Sequence, residues 1–250
     1  MALLKHLAPN TNVMEVDTMV SLAERMKNNY ENRYRFFLTR RTPVIIRLDG
    51  KAFHTFMKGR MKPYDEMFMM SMDDTALFLV EKIQGAKLAY TQSDEISILI
   101  TDYDHFNTEA WFDYNLQKIV SIASGYASAY FSRAEQLDVP VVFDARAFNV
   151  PHHEVCNYFV SRQRDWKKNS IQMLARKLYS HKELKGCNID KMKEMIRAKG
   201  WDWDKEPPRH RFGSVWLNRP GEDWHKYTEF VFTQPDYRGL VERVLEPEEK

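Results

Sequence analysis

The sequence predicts an α+β fold: an antiparallel sheet in split βαβ order with helices packed on it, followed by a helical, basic C-terminal extension. Three observations carry this. Val44, Ile45, Ile46 and Leu48 are apolar and mostly β-branched, the make-up of a buried strand. Residues 86–100 (AKLAYTQSDEISILI) hold two strand-like runs around Ser93-Asp94-Glu95, with Ile96, Ile98 and Ile100 alternating with Ser97 and Leu99. Around these runs lie stretches whose apolar residues recur at the helical period.

Taken in order, residues 1–12 contain Pro9, Asn10 and Asn12 and read as a loose arm. A helix follows with Val16, Val20, Ala23, Met26, Tyr30, Tyr34 and Phe37 on one face, and Arg25, Lys27, Arg33 and Arg35 on a face read as solvated. Arg40 and Arg41, just before the first strand, are better placed to meet an anionic ligand. Pro43 marks the start of that strand, since proline can open a strand but cannot donate within it. Asp49-Gly50 ends it. Lys51, Ala52, Phe53 and His54 come next, so the backbone N–H groups of a tight turn follow a carboxylate, an arrangement that can cradle phosphate. On its own Asp-Gly is a commonplace turn pair. A loop over residues 54–63 then carries Lys58, Arg60 and Lys62. Asp65 opens a helix reaching about residue 83, where Asp65 and Glu66 suit the first turn. Met67, Met69, Met70 and Met72 read as flexible core filler.

The hairpin over residues 86–100 places Asp94 at or beside its turn. If it pairs with the first strand, Asp49 and Asp94 meet at one end of the sheet. Two carboxylates there, with a backbone carbonyl and phosphate oxygens, make the all-oxygen surroundings Mg²⁺ prefers, and two such ions are a standard device for nucleotidyl transfer. A polar linker over residues 101–108 leads to a helix over about residues 111–137, and residues 140–148 read as the fourth strand. Past Pro151 the character changes. A helix over residues 154–179 carries Arg162, Arg164, Lys167, Lys168, Asn169, Arg176 and Lys177, dense enough to form a basic stripe able to meet phosphates. A short helix over residues 188–199 ends at Gly200, residues 209–218 read as a strand, and the acidic end over residues 246–250 reads as disordered.

At 250 residues, 44% hydrophobic and 29% charged, the chain has the composition of a globular protein. A net charge of +2 permits nucleic-acid binding through a local patch without demanding it. No apolar run approaches the roughly 20 residues of a membrane span, and the apolar start is too brief for a signal peptide, so a cytoplasmic location is expected. Cys156 and Cys187 lack metal or redox spacing and read as reduced thiols.

RLDGKAFH (residues 47–54), Lys62-Pro63-Tyr64-Asp65, YTQSDE (residues 90–95) and FDAR (residues 143–146) together resemble the tRNA-His guanylyltransferase family and its guanylyltransferase-like relatives. The resemblance implies a polymerase-palm-like domain that adds nucleotides to the 5′ end of tRNA, opposite to ordinary polymerase direction, after activation with ATP or GTP. The chain is accordingly expected to divide into an N-terminal arm and helix over residues 1–41, a palm-like catalytic domain over 42–150, and a helical RNA-contacting extension over 151–250 with a terminal strand and an acidic tail. The resemblance assigns two Mg²⁺ ions to Asp49, the carbonyl of Gly50 and Asp94, and a homotetrameric assembly. Nucleotide contacts fall on Asp49, Gly50, Lys51, Ala52, Phe53, His54, Lys62, Asp65, Ser93 and Asp94, and RNA contacts on Arg162, Lys167, Lys168, Asn169 and Arg176. Glu95 joins the catalytic carboxylates as an acidic neighbour, although strand alternation turns it away from Asp94. His54 reads equally as a base contact or as a partly buried histidine with a hydrogen-bonded ring.

One departure matters. Where the eukaryotic enzymes carry His-Ile-Asn-Asn-Leu-Tyr-Asn, this chain reads Lys167-Lys168-Asn169-Ser170-Ile171-Gln172-Met173, keeping only Asn169 in place. This resembles the guanylyltransferase-like proteins, associated with template-directed repair of 5′-truncated tRNA. A nucleotide-cyclase-like palm enzyme and a non-catalytic RNA-binding module are the competing readings. The cyclase leaves the basic region unexplained, and the acidic pair argues against the module.

Overall fold

The computed structural model describes residues 20–219 and 221–247. The chain divides into two compact units at Arg35/Phe36. In the first, helix α1 (Leu22–Asn29) is opened by a capping box: the Ser21 side chain accepts from the Glu24 N–H while the Glu24 carboxylate accepts from the Ser21 N–H. It buries no residue and stops at Tyr30, well short of the helix expected to reach Phe37. A 3-10 turn, Glu31–Tyr34, follows it. Val16 and the expected arm lie outside the described residues.

The second unit is built on a six-stranded antiparallel sheet of order β4-β1-β3-β2-β5-β6. Its strands are β1 (Val44–Gly50), β2 (Ala86–Gln92), β3 (Glu95–Ile100), β4 (Phe143–Asn149), β5 (Ser214–Asn218) and β6 (Trp224–Tyr227). Side-chain alternation divides the core in two. Val44, Ile46, Leu48, Ile96, Ile98 and Ile100 pack with helices α3 (Glu66–Lys82) and α4 (Leu116–Ala134). On the other face Ile45, Leu88, Tyr90 and Leu99 pack with α5 (Val155–Leu178) and α9 (Pro235–Leu245). Helices therefore cover both faces rather than the single face expected of a split βαβ unit, which is why every residue of β3 is buried. Ala123 and Ala127 let α4 approach the sheet closely. A third core, around Ile171, Leu174, Met192, Ile196 and Trp203, joins the far half of α5 to α6 (His181–Leu184) and α7 (Ile189–Ala198).

The sheet runs through the expected boundary at residue 150, because β5 pairs with β2 and β6 with β5. The stretch expected as one strand over residues 209–218 is split. Pro208–Phe212 forms a short helix, α8, and only Ser214–Asn218 is strand. Gly213 makes the switch at φ 80°, and a Cβ there would lie 2.5 Å from the Thr91 carbonyl oxygen; only glycine fits. Neither β6 nor α9 was legible in the sequence. Among the described residues no helix is long and apolar enough to cross a membrane.

Candidate active site

The site grows from the end of β1. In the sheet register Asp49 lies directly opposite Glu95 on β3 and Asp144 on β4. The hairpin between β2 and β3 closes in two residues, Ser93 and Asp94, with Gln92 paired to Glu95. Ser93 takes φ 49°, the positive value that the first loop residue of such tight hairpins adopts. The Gly50 N–H donates to the Asp94 carbonyl at 3.0 Å and the Lys51 N–H to the Val142 carbonyl at 2.8 Å. Asp49 and Asp94 are thus brought together by backbone bonds, as the pairing of the hairpin with the first strand predicts.

Gly50 is required by packing. A Cβ there would sit 2.3 Å from the Phe53 ring, which is 2% exposed and wedged among Phe56, Phe68, Phe131 and Phe143. Ala52 turns the chain at φ 59° into a one-turn helix, α2 (Phe53–Phe56). In it the N–H groups of Phe53 and His54 have no intrahelical acceptor. The Lys51 N–H, expected to face a phosphate, is already bonded.

The carboxylates crowd one another. Burial, then the neighbouring Asp94, Glu95 and Asp144 carboxylates, push the Asp49 carboxyl above its ordinary value against a smaller pull from Arg146. Asp94 is also raised, chiefly by burial and further by Glu95, with the Ser93 hydrogen bond and His54 easing the cost. Asp144 was missed as a site residue although FDAR was among the recognised motifs. Nothing local marks it; only the pairing of β4 with β1 puts it beside Asp49.

Glu95 is 5% exposed and closed by Arg162, whose Nε donates to Oε1 at 2.7 Å and whose Nη2 donates to Oε2. Its direct access to a substrate is therefore blocked, in keeping with strand alternation. Arg162 is corrected with it: the guanidinium expected to meet RNA binds Glu95 and, at 2.8 Å, Asp165. Arg40 and Arg41 are likewise engaged. Arg40 bonds Asp102 at 2.5 Å and Asp113 at 2.9 Å, while Arg41 bonds Asp102 through its N–H and the Phe106 carbonyl through its guanidinium.

Beside Asp94 opens a cavity of about 480 Å³ lined by Phe53, His54, Lys62, Tyr64, Ser93, Asp94, Asn169 and Arg176, among others, a size suited to a small ligand. His54 is exposed and faces this cavity, which sets aside the buried-histidine reading. Asp65 lines it too, but its oxygens accept from the N–H groups of Phe68 (2.9 Å) and Met61 (3.1 Å). Its role here is to cap α3 and hold the preceding loop. Asn169 and Arg176, grouped by sequence with the RNA contacts, share the cavity with the expected nucleotide residues. Lys167 and Lys168 do not line it.

Among the described residues no group of three or more His, Cys, Asp and Glu side chains is arranged to hold a metal ion. The expected set is smaller: two carboxylates and one carbonyl oxygen.

Residues 23–151 match the family described as tRNAHis guanylyltransferase (Thg1). The tRNA(His) guanylyltransferase of Schizosaccharomyces pombe is 28% identical over 205 residues, 74% of this chain and 77% of that protein. A bacterial tRNA(His) guanylyltransferase (Thg1)-like protein solved in complex with ATP is 39% identical, with a TM-score of 0.84 over 90% of this chain and 99% of that one. A bacterial Thg1-like structure in complex with GTP gives 38% identity and a TM-score of 0.78, covering 89% and 98% of the two chains. On the matched profile, and on the palm-like sheet shared with these structures, this chain belongs to the tRNA-His guanylyltransferase family.

Proposed function

We propose that this nucleotidyltransferase adds nucleotides to the 5′ end of tRNA in the 3′–5′ direction, choosing each by pairing with the opposite strand of the acceptor stem. The observation that carries the reading is the meeting of Asp49 and Asp94 at one end of the sheet, beside a cavity that also holds Lys62, His54 and Arg176. ATP and GTP are taken as its substrates by likeness to the two bacterial complexes.

The residues fit Mg²⁺. Asp49 and Asp94 are hard oxygen donors, and burial together with the neighbouring carboxylates raises both carboxyls, a cost that a cation would relieve. Asp49, Asp94 and the Gly50 carbonyl would hold two ions, which when bound would neutralise phosphate charge and align attacking and leaving oxygens. The chain's own part is positioning. The Gly50–Asp94 backbone bond fixes the two carboxylates, and the wedged Phe53 ring fixes the turn that follows. The first-turn N–H groups of Phe53 and His54, with Lys62 and Arg176 across the cavity, offer donors to a triphosphate.

The reaction has two in-line displacements. The 5′-monophosphate of the RNA attacks the α-phosphorus of ATP or GTP, forming a 5′-5′ pyrophosphate bond and releasing pyrophosphate. The 3′-hydroxyl of an incoming nucleoside triphosphate then attacks the RNA 5′-phosphorus, and the activating nucleoside monophosphate leaves.

Template control is favoured by the cavity wall. Asn169, Gln172 and Met173 line it in the segment where the His-Ile-Asn-Asn signature of the eukaryotic enzymes is absent. The test uses tRNAs lacking their first nucleotide, with each of the four bases at the opposing position. Incorporation that follows the opposing base is expected. Addition of G alone, only to tRNA-His, would overturn template control; cyclic nucleotide without RNA extension, or RNA binding without turnover, would overturn the transferase reading. A cytoplasmic homotetramer is part of the proposal, and sedimentation of the purified chain checks the assembly.

A further inference from the structure

On the side of α5 away from the cavity, α5, α7 and α8 enclose a groove of about 420 Å³ that shares no lining residue with the cavity. Four cations line it, Lys167 and Lys168 from α5, Lys193 from α7 and Arg211 from α8, against two carboxylates, Asp190 and Asp204. Asp204 is already engaged, by Lys193 at 2.7 Å and by Arg197 at 2.8 Å. Among the described residues neither Lys167 nor Arg211 pairs with a carboxylate. The Arg211 Nε is buried without an acceptor. Burial, then the like charges of Lys193, Arg211 and Arg164, hold the Lys167 ammonium below its ordinary value. A half-buried cation crowded by three others, beside a guanidinium N–H with no acceptor, is costly unless an anion relieves it.

We propose that this groove is a second anion site, and that it takes a backbone phosphate of the bound RNA with Lys167 and Arg211 as direct donors. This rests on the reading that RNA is the substrate. A phosphate of the RNA backbone is favoured over a whole nucleotide because the aromatic faces that could stack a base are already covered. Lys167 lies 4.9 Å and Arg211 4.7 Å from the Phe212 ring centre, and Lys193 lies 4.5 Å from that of Trp203. Arg164, one turn before Lys167 on α5, extends the positive strip beyond the groove.

The experiment measures binding of a 3′-labelled tRNA lacking its first nucleotide, by fluorescence anisotropy over a salt series. The wild type is compared with Lys167→Gln/Arg211→Gln and with the charge-keeping Lys167→Arg/Arg211→Lys. Losing two phosphate contacts should make the slope of log K against log salt shallower by roughly 1.5, and the charge-keeping pair should restore it. Lys167→Gln alone should show about half the change, so the test holds even if the double variant is unstable. Affinity for a non-reactive nucleoside triphosphate, measured without RNA, should not move. An unchanged salt slope overturns the inference, as does a loss of triphosphate affinity, which would assign the groove to the nucleotide. Wild type that binds RNA but adds no nucleotide would refute the catalytic reading and leave this site standing. Wild type that adds nucleotides, with an unaltered slope in the variants, would sink this inference alone.

Discussion

Asp73, in the middle of α3, is predicted to be the residue on which attachment of the C-terminal strands to the rest of the sheet depends. It is 2% exposed. Its Oδ1 accepts from the Thr91 hydroxyl at 2.9 Å and from Arg209 Nη2 at 2.9 Å. Its Oδ2 accepts from Arg209 Nε at 3.2 Å, the Ser214 hydroxyl at 2.9 Å and Lys226 Nζ at 2.7 Å. One carboxylate thereby joins α3 to β2, α8, β5 and β6. Asp73→Asn keeps the shape but turns an amide donor toward these donors and leaves Arg209, 9% exposed, without its counter-charge. Removing one partner of a buried ion pair costs about 3–5 kcal/mol, which for a chain of this length is roughly 6–10 °C in Tm. Asp73→Ala should cost more, because the Thr91 and Ser214 hydroxyls also lose their acceptor. The pH dependence has a fixed sign. Burial alone would raise the Asp73 carboxyl, but Arg209, Lys226 and the hydrogen bonds from Lys226 and Thr91 together hold it below its ordinary value. A depressed folded value means the stabilisation is fully present above the unfolded value of about 3.9 and is lost as pH falls through the folded one. The Tm gap between wild type and Asp73→Asn should therefore be constant near neutral pH and close on acidification below about pH 4. Thermal melts at a series of pH values provide the assay. A Tm within the error of wild type at pH 7, or a gap that widens in acid, would falsify this account.

Three further predictions concern the site. Asp49→Ala or Asp94→Ala should abolish nucleotide addition in a folded protein, since each removes a charged donor from the acidic pair; near-normal turnover with Mg²⁺ would remove the central assignment. Asp49→Asn should raise Tm in metal-free buffer at neutral pH, because it removes a charge disfavoured by burial and by the neighbouring Asp94, Glu95 and Asp144 carboxylates; an unchanged or lower Tm would count against that electrostatic picture. Gly50→Ala should lose about 1–3 kcal/mol of stability, because the new Cβ meets a Phe53 ring that its aromatic neighbours hold in place. Its activity should fall by about 100-fold as the carboxylate moves, and wild-type kinetics in the variant would show the turn to be tolerant.

The sequence by itself determined the strands of the inner sheet and the acidic pair. The β-branched run before Asp49, the alternation after Glu95 and the Asp-Gly and Ser-Asp turns are local signals, and turn chemistry and strand period act over a few residues. The turning of Glu95 away from Asp94 was legible for the same reason. What other segments do to a residue was not legible. Asp144 enters the site only through pairing across β1, and Arg162 is withdrawn from any RNA contact by Glu95, 67 residues away in the chain. Gly213 broke an expected strand because the Thr91 carbonyl lies against it. The strongly basic look of α5 concealed three fates: Arg162 closed in an ion pair, Asn169 and Arg176 at the cavity, Lys167 in the groove beyond. Helical spacing orders residues around an axis, but the packing of α5 against the sheet, α7 and α8 decides what each face meets. That packing depends on burial summed over the whole chain, which no short window of sequence contains.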